Sequence, residues 1–281
     1  MILTPYSKIL DYAVKHKIMV GAFNSFNLES LQAVVTAADK IQTPLIVQTY
    51  HSHVDYAGAN YMVALAEVAA TKTNEMIAMG LDHGRSFEQA KMCIDAGYSG
   101  VMIDLSSEDL KRNIEETKKV VELAHSKGVS VEAELGTIIT ADHTVQEIAS
   151  GYTDPNIARK FVEETGVDCL AVSVGTAHGL YKYKPMINFD LVEELVKSVG
   201  CPIVVHGGSG VPDDDVLKLV KLGVAKFNIG TDFFVAYNSA IYQVITENGP
   251  KCDVIDIMAA AREAVERVAI HKLEILTAYR I

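Results

Sequence analysis

No segment of this chain approaches the roughly 20 consecutive apolar residues that a bilayer core demands, although 49% of its 281 residues are hydrophobic. The opening MILTPYSKILDYAVKH also lacks the continuous apolar core of a secretory signal. The expectation is a soluble, cytoplasmic protein with no membrane partner. Cysteine pairs are missing as well. Cys93, Cys169, Cys201 and Cys252 stand alone without C-x-x-C spacing, which argues against a disulfide framework or a thiolate zinc site and for buried reduced thiols. Basic runs are absent, and the formal net charge is −11. That balance argues against a nucleic-acid surface, while leaving open small anions bound through backbone N–H groups.

What the chain does have is a repeated alternation of short apolar runs, polar turns and segments with helical spacing, the pattern of β–α units. Eight strand candidates follow: Ile18 to Phe23, Pro44 to Gln48, Met76 to Leu81, Gly100 to Ile103, Val129 to Glu134, Cys169 to Val174, Pro202 to Val205 and Ala225 to Ile229. They are nearly all apolar, as parallel strands buried on both faces should be. Helical spacing is read over Leu28 to Lys40, Tyr61 to Thr73, Phe87 to Ala96, Ser107 to Ser126, Pro155 to Glu164, Asp190 to Val199 and Asp213 to Lys221. Asn27 is an N-cap candidate with Ser30 at N3, and Gly97, Gly128 and Gly166 fit C′ positions. A further long helix is read from Val254 to Tyr279. An open doubly wound sheet shares this alternation. Eight units favour a closed (β/α)₈ TIM barrel, one domain over residues 1–281 with an added C-terminal helix, close to the typical barrel length of about 250 residues.

Active sites of such barrels lie at the C-terminal strand ends, and the reactive side chains fall there. Asp82 and His83 end the third strand candidate, Asp104 the fourth and Glu134 the fifth; His178 follows the sixth, His206 ends the seventh and Asn228 lies in the eighth. A strand-end Asp often caps the next helix, and one buried His is usually a hydrogen-bonded core residue. Three histidines from three strand ends are different, because three neutral imidazoles with an open fourth position make a catalytic zinc site. Asp104 and Glu134 fit two roles, orienting those histidines or holding a second or alternative cation. The loops after the seventh and eighth strands read His206-Gly-Gly-Ser-Gly and Asn228-Ile-Gly-Thr, where barrels often build an anion site. An ordinary glycine turn is the bland reading of G-G-S-G; its register with His206 raises it.

The segments LDHG (81–84), VMID (101–104), VEAELGT (131–137), GTAHG (175–179), HGGSG (206–210) and FNIGT (227–231), in this order, resemble the class II aldolases acting on fructose or tagatose 1,6-bisphosphate. The likeness runs from AFNSFNLE to the AREAV segment. It implies zinc on His83, His178 and His206, an alternative metal position at Asp104 and Glu134, and Asp82 as the acid/base for the C4 hydroxyl. It also implies that Gly179, Gly207, Gly208, Ser209, Asn228, Ile229, Gly230 and Thr231 hold the dihydroxyacetone phosphate half, with Na⁺ or K⁺ beside that phosphate. A homodimer or homotetramer is expected on the same ground. The ion would act as a Lewis acid on the C2 carbonyl while the C3–C4 bond breaks.

The chain departs from the family in three places. Many members carry Gly-Gly-x-Glu-Asp after ELGT, where this chain reads Ile138-Ile-Thr-Ala-Asp-His143, so Asp142, with His143 beside it, stands opposite the proton-transferring glutamate. Ser106-Ser107 replaces a frequent Ser-His. Thr49-Tyr-His51-Ser-His53 is unusual, and Thr49, His51, His53, Lys182, Lys184 and Arg262 are candidate contacts for the far anionic end of the substrate, solvated surface lysines being the bland reading of Lys182 and Lys184. The aldehyde product is therefore open: glyceraldehyde 3-phosphate, or another three-carbon aldehyde with a different anionic terminus. Three rivals stand beside this reading: a barrel hydrolase using His51-x-His53, a Schiff-base aldolase using Lys226, and a non-catalytic sugar-phosphate-binding barrel.

Overall fold

The computed structural model describes residues 2–281. Its first element is a helix the sequence reading did not contain, α1 (Tyr6–His16), with Tyr6, Ile9, Leu10 and Ala13 buried at helical spacing. The units that follow are β1 (Val20–Asn24) with α2 (Leu28–Ile41), β2 (Leu45–Tyr50) with α3 (His51–Ala57) and α4 (Ala59–Ala70), β3 (Ile77–Gly84) with α5 (Phe87–Ala96), and β4 (Gly100–Ile103) with α6 (Leu110–Ser126). The second half runs β5 (Ser130–Leu135), α7 (Val145–Ala149), α8 (Pro155–Thr165), β6 (Cys169–Val172), α9 (Phe189–Ser198), β7 (Ile203–Val205), α10 (Asp213–Leu222) and β8 (Lys226–Ile229), then α11 (Thr231–Asn248) and α12 (Val254–Leu276).

All neighbouring strands pair in parallel, and β1 closes the ring on β8 through Val20↔Lys226 to Phe23↔Ile229. The fold is thus the closed eight-stranded barrel expected, with no described helix long and apolar enough to cross a membrane. Local signals behave as their chemistry dictates. Asn27 and Ser30 form a reciprocal capping box at the start of α2, and Gly97 and Gly166 end α5 and α8 in the left-handed conformation. β1 starts at Val20 rather than Ile18 because the Ile18 amide still donates to Ala13 at the end of α1.

Strand alternation sorts the barrel into two cores. Val20, Ala22, Ile46, Ala78, Met102, Cys169, Ala171 and Val204 pack inside it with Tyr6, Ile9 and Leu10 of α1, while residues such as Phe23, Val47, Met79, Val101, Val172 and Val205 face the helices. The α1 helix closes the N-terminal end of the barrel. Its Tyr6 occupies space that only glycine leaves: a Cβ on Gly80 would lie 1.4 Å from the Tyr6 hydroxyl, and one on Gly100 2.5 Å from its ring. Towards the C-terminal end the inward positions turn polar, through Asn24, Gln48, Asp82, Glu132, Glu134, His206, Lys226 and Asn228, all buried.

Candidate active site

A cavity of about 500 Å³ opens at that polar end, lined by groups from most of the strand ends. On a regular strand adjacent side chains face opposite ways, so Asp82 and His83 should not both reach it. They do, because β3 carries an irregularity: Leu81 pairs with Val101 but Gly84 pairs with Ile103, three steps on one strand against two on the other. This bulge, with His83 in the left-handed region at φ 50°, turns the imidazole inward. Gly84 allows it, since a Cβ there would meet the Met102 carbonyl oxygen at 2.3 Å.

His83, His178 and His206 converge. One ring nitrogen of each lies within 4.8 Å of the others, and a His83 nitrogen and one carboxylate oxygen each of Asp104 and Glu134 lie equally close together. His83 Nδ1 bonds Asp104 at 2.6 Å, and its Nε2 faces His206 Nδ1 at 3.0 Å. His206 Nε2 lies 2.7 Å from Glu132 Oε1; with that nitrogen donating, Nδ1 keeps its lone pair for the cavity. His178 Nε2 and Glu134 Oε2 are buried with no protein partner, which leaves both with acceptor capacity that a bound cation would satisfy. Burial and the neighbouring imidazoles lower His178 to about 3, so it is neutral and free to coordinate. Burial also pulls His83 down, yet Asp82, Asp104 and Glu134 together raise it to about 10. The field that favours a proton there favours a dication more. Burial and nearby Asp104 push Glu134 well above the usual carboxylate range. The donor set fits a divalent metal, and three imidazoles suit zinc better than an oxygen-seeking ion.

Asp82 sits in a fixed cradle. Asn24 donates to Oδ2 at 2.7 Å and Asn228 to Oδ1 at 3.0 Å, while Gln48 donates to Asn24 at 3.0 Å. Burial opposes its charge, but His83, His206, the Asn24 bond and Lys226 outweigh that and hold it below the ordinary carboxylate range. Beneath lies a buried ion pair, Lys226 to Glu132 at 2.8 Å, with Lys226 also donating to Asn228 at 2.6 Å. Burial disfavours the Glu132 carboxylate, yet Lys226 and His206 bring it to about 2. One lysine thus braces both the His206 side and the Asp82 side of the site.

Opposite, Gly179, Gly207, Gly208, Ser209, Asn228, Gly230 and Thr231 line the wall. Gly207, at φ 68°, passes so near Ala177 that a Cβ would lie 2.3 Å from its carbonyl oxygen; only glycine fits. Ser209 Oγ accepts from the amides of Gly230 and Asp232 at 3.3 and 3.0 Å, joining the two loops at the start of α11.

Several expected contacts lie elsewhere. Thr49 and Ile229 are one step out of register with inward Gln48 and Asn228. Thr49 is buried against Tyr98, its hydroxyl 2.7 Å away, and Ile229 packs among the helices. His51 lines the cavity, but His53 belongs to a neighbouring cleft with Phe26, Tyr56, Phe234 and Asn238, because both sit in the first turn of α3 and diverge there. Lys182 is exposed beside Tyr183, and Arg262 reaches Gln32 on the outer face of α12. Asp142 is exposed outside the cavity, accepting from Thr140 at 2.5 Å. The Ala141 amide donates to the His178 carbonyl at 2.8 Å and the His178 amide to Ile139 at 3.0 Å, so this segment is laced to the loop of His178. Asn24, Gln48, Glu132 and Arg85 were not singled out from sequence, although parity with Ala22, Ile46 and Glu134 marks the first three as inward.

Residues 4–279 match the family described as fructose-bisphosphate aldolase class-II. The chain is 39% identical to a probable fructose-bisphosphate aldolase of Bacillus subtilis over 97% of both chains. It is 37% identical to the fructose-bisphosphate aldolase of Giardia intestinalis over 98% of this chain and 93% of that one. Among solved structures it resembles the YdjI aldolase of Escherichia coli K12, with a TM-score of 0.85, 30% identity, and coverage of 98% and 97%.

Proposed function

The chain belongs to the class II fructose-bisphosphate aldolase family and is an aldolase of ketose bisphosphates; from that premise we propose that zinc on His83, His178 and His206 and the base Asp82 carry the reaction. The observation behind this reading is the partnerless His178 Nε2 facing two imidazoles whose outer nitrogens are already taken by carboxylates. Bound there, the ion supplies Lewis-acid polarisation of the substrate carbonyl. Asp82, kept ionised and aimed by Asn24 and Asn228, takes the C4 hydroxyl proton as the C3–C4 bond breaks and the aldehyde forms. The electron pair left on C3 is delocalised into the C2 carbonyl and is quenched by a proton, leaving dihydroxyacetone phosphate. Asp142, or His143 beside it, is the proton donor in this reading, a role that requires the 138–144 segment to move inward against the hydrogen bonds that tie it to the His178 loop. Gly179, Gly207 to Ser209 and Asn228 to Thr231 hold the phosphate, Ile229 through its backbone alone, with Na⁺ or K⁺ beside it. Asp104 and Glu134 offer an alternative seat for the ion next to His83.

Lys226 is a poor Schiff-base amine, since it is buried, paired with Glu132 and absent from the cavity lining. The divergence of His51 and His53 speaks against a hydrolase built on that pair. A homodimer or homotetramer belongs to the same reading, supported by Val235, Tyr242 and Ile245, exposed at helical spacing along α11. A coupled cleavage assay across fructose and tagatose 1,6-bisphosphates, with and without chelator, tests the proposal. Expected are metal-dependent release of dihydroxyacetone phosphate, loss of activity in His83→Ala and a fall of about 10²- to 10⁴-fold in Asp82→Ala. Full activity in excess chelator would overturn it.

A further inference from the structure

Arg85 is the only lysine or arginine among the residues lining the cavity, whose floor carries Asp82, Asp104 and Glu134. It follows the LDHG segment by one residue, in the loop between β3 and α5. The ring order places β3 four strands from β7 whichever way it is traversed, so Arg85 stands across the mouth from the glycine loops after β7 and β8. A substrate with one phosphate in those loops and its scissile bond at Asp82 extends its aldehyde end towards the β2 and β3 side.

The guanidinium is held in place. Its Nη2 pairs with Asp55 at 2.5 Å, and Gln89 ties the loop by donating to Asp55 at 3.1 Å and accepting from the Arg85 amide at 3.0 Å. Among the described residues no acceptor takes the hydrogens on Arg85 Nε or Nη1, and His51 Nδ1, on the same side of the cavity, is buried without a partner. An exposed ion pair such as Arg85–Asp55 contributes little to stability, about 0–1 kcal/mol. A rigid fork with one edge free is, however, what a phosphate or carboxylate oxygen pair fits.

We infer that Arg85, braced by Asp55 and assisted by His51, determines specificity for an oxyanion at the aldehyde end of the ketose. This rests on the aldolase reading above. The shared chemistry is a phosphate or a carboxylate terminus, and the acids on the cavity floor make an uncompensated anion at that end unfavourable. Lys182, Lys184 and Arg262 lie outside the lining and do not serve.

The test compares wild type, Arg85→Gln and Arg85→Lys, all zinc-loaded, on three substrates: a ketose 1,6-bisphosphate, a ketose 1-phosphate ending in a carboxylate, and the neutral ketose 1-phosphate. In Arg85→Gln, kcat/KM is expected to fall about 10- to 100-fold on at least one of the two doubly anionic substrates, with less than about threefold change on the neutral one. Arg85→Lys recovers part of the loss. The substrate that suffers identifies phosphate or carboxylate. Because the side chain is exposed, the substitution leaves folding intact, and the neutral substrate serves as the internal control. Equal losses on all three substrates, or none on the anionic pair, overturn the inference while wild-type cleavage leaves the aldolase reading standing. Wild-type protein that cleaves none of the three overturns both.

Discussion

His83 is asked to be two things. The carboxylates of Asp82, Asp104 and Glu134 raise it to about 10, which favours the doubly protonated ring at neutral pH; as a ligand it must surrender the proton on Nε2. Zinc binding should therefore release about one proton per ion at neutral pH, and affinity should climb about tenfold per unit as pH rises towards that value. His178, lowered to about 3, contributes no such slope. Calorimetric titration in buffers of different ionisation enthalpy reads the proton directly. No release between pH 6 and 8 would mean that His83 is already neutral. Glu132 works at the same scale: it fixes which nitrogen of His206 is offered, a role conveyed by hydrogen bonding that the sequence motif carries without announcing.

At the level of single elements, β3 decides the site. Gly84→Ala should force the strand away from the Met102 carbonyl, destabilise the fold by about 1–3 kcal/mol as overpacking does, and weaken zinc binding as His83 is displaced. Urea unfolding and metal titration check the two effects; unchanged values in both would show that the bulge tolerates a side chain. This irregularity was not legible beforehand. Apolar runs announce all eight strands, and the third is bounded at Leu81 with Asp82 and His83 at its end, but nothing in residue type declares three steps set against two. The side chains of Thr49 and Ile229 leave the cavity for the opposite reason. Their strands are regular, and a strict period of two, applied from Ile46 on β2 and from Lys226 on β8, puts Gln48 and Asn228 inside and sends Thr49 and Ile229 to the helices. Asp82 and His206 needed no such care, since each lies at or just past a strand end and all strand ends meet; His178 is carried in by the loop after β6, and His83 by the bulge. The α11 helix escaped notice because only Phe233 and Tyr237 are buried along it, too few to form a stripe.

For the whole molecule, the exposed row Val235, Tyr242 and Ile245 is expected to be an interface between copies of this chain. Light scattering should give the mass of two or four chains, and Tyr242→Asp should shift the population towards one; a wild-type monomer at micromolar concentration would overturn the assignment. With Tyr6 filling the space beneath Gly80 and Gly100, the described barrel is stopped at its N-terminal end, and the cavity opens at the other. An ion held by His83, His178 and His206 would then lie towards the bottom of a blind well, beneath a sugar phosphate seated in the glycine loops. Departure of that ion would have to wait for the substrate to leave, so the proposed site predicts slower metal loss to a chelator during turnover than at rest.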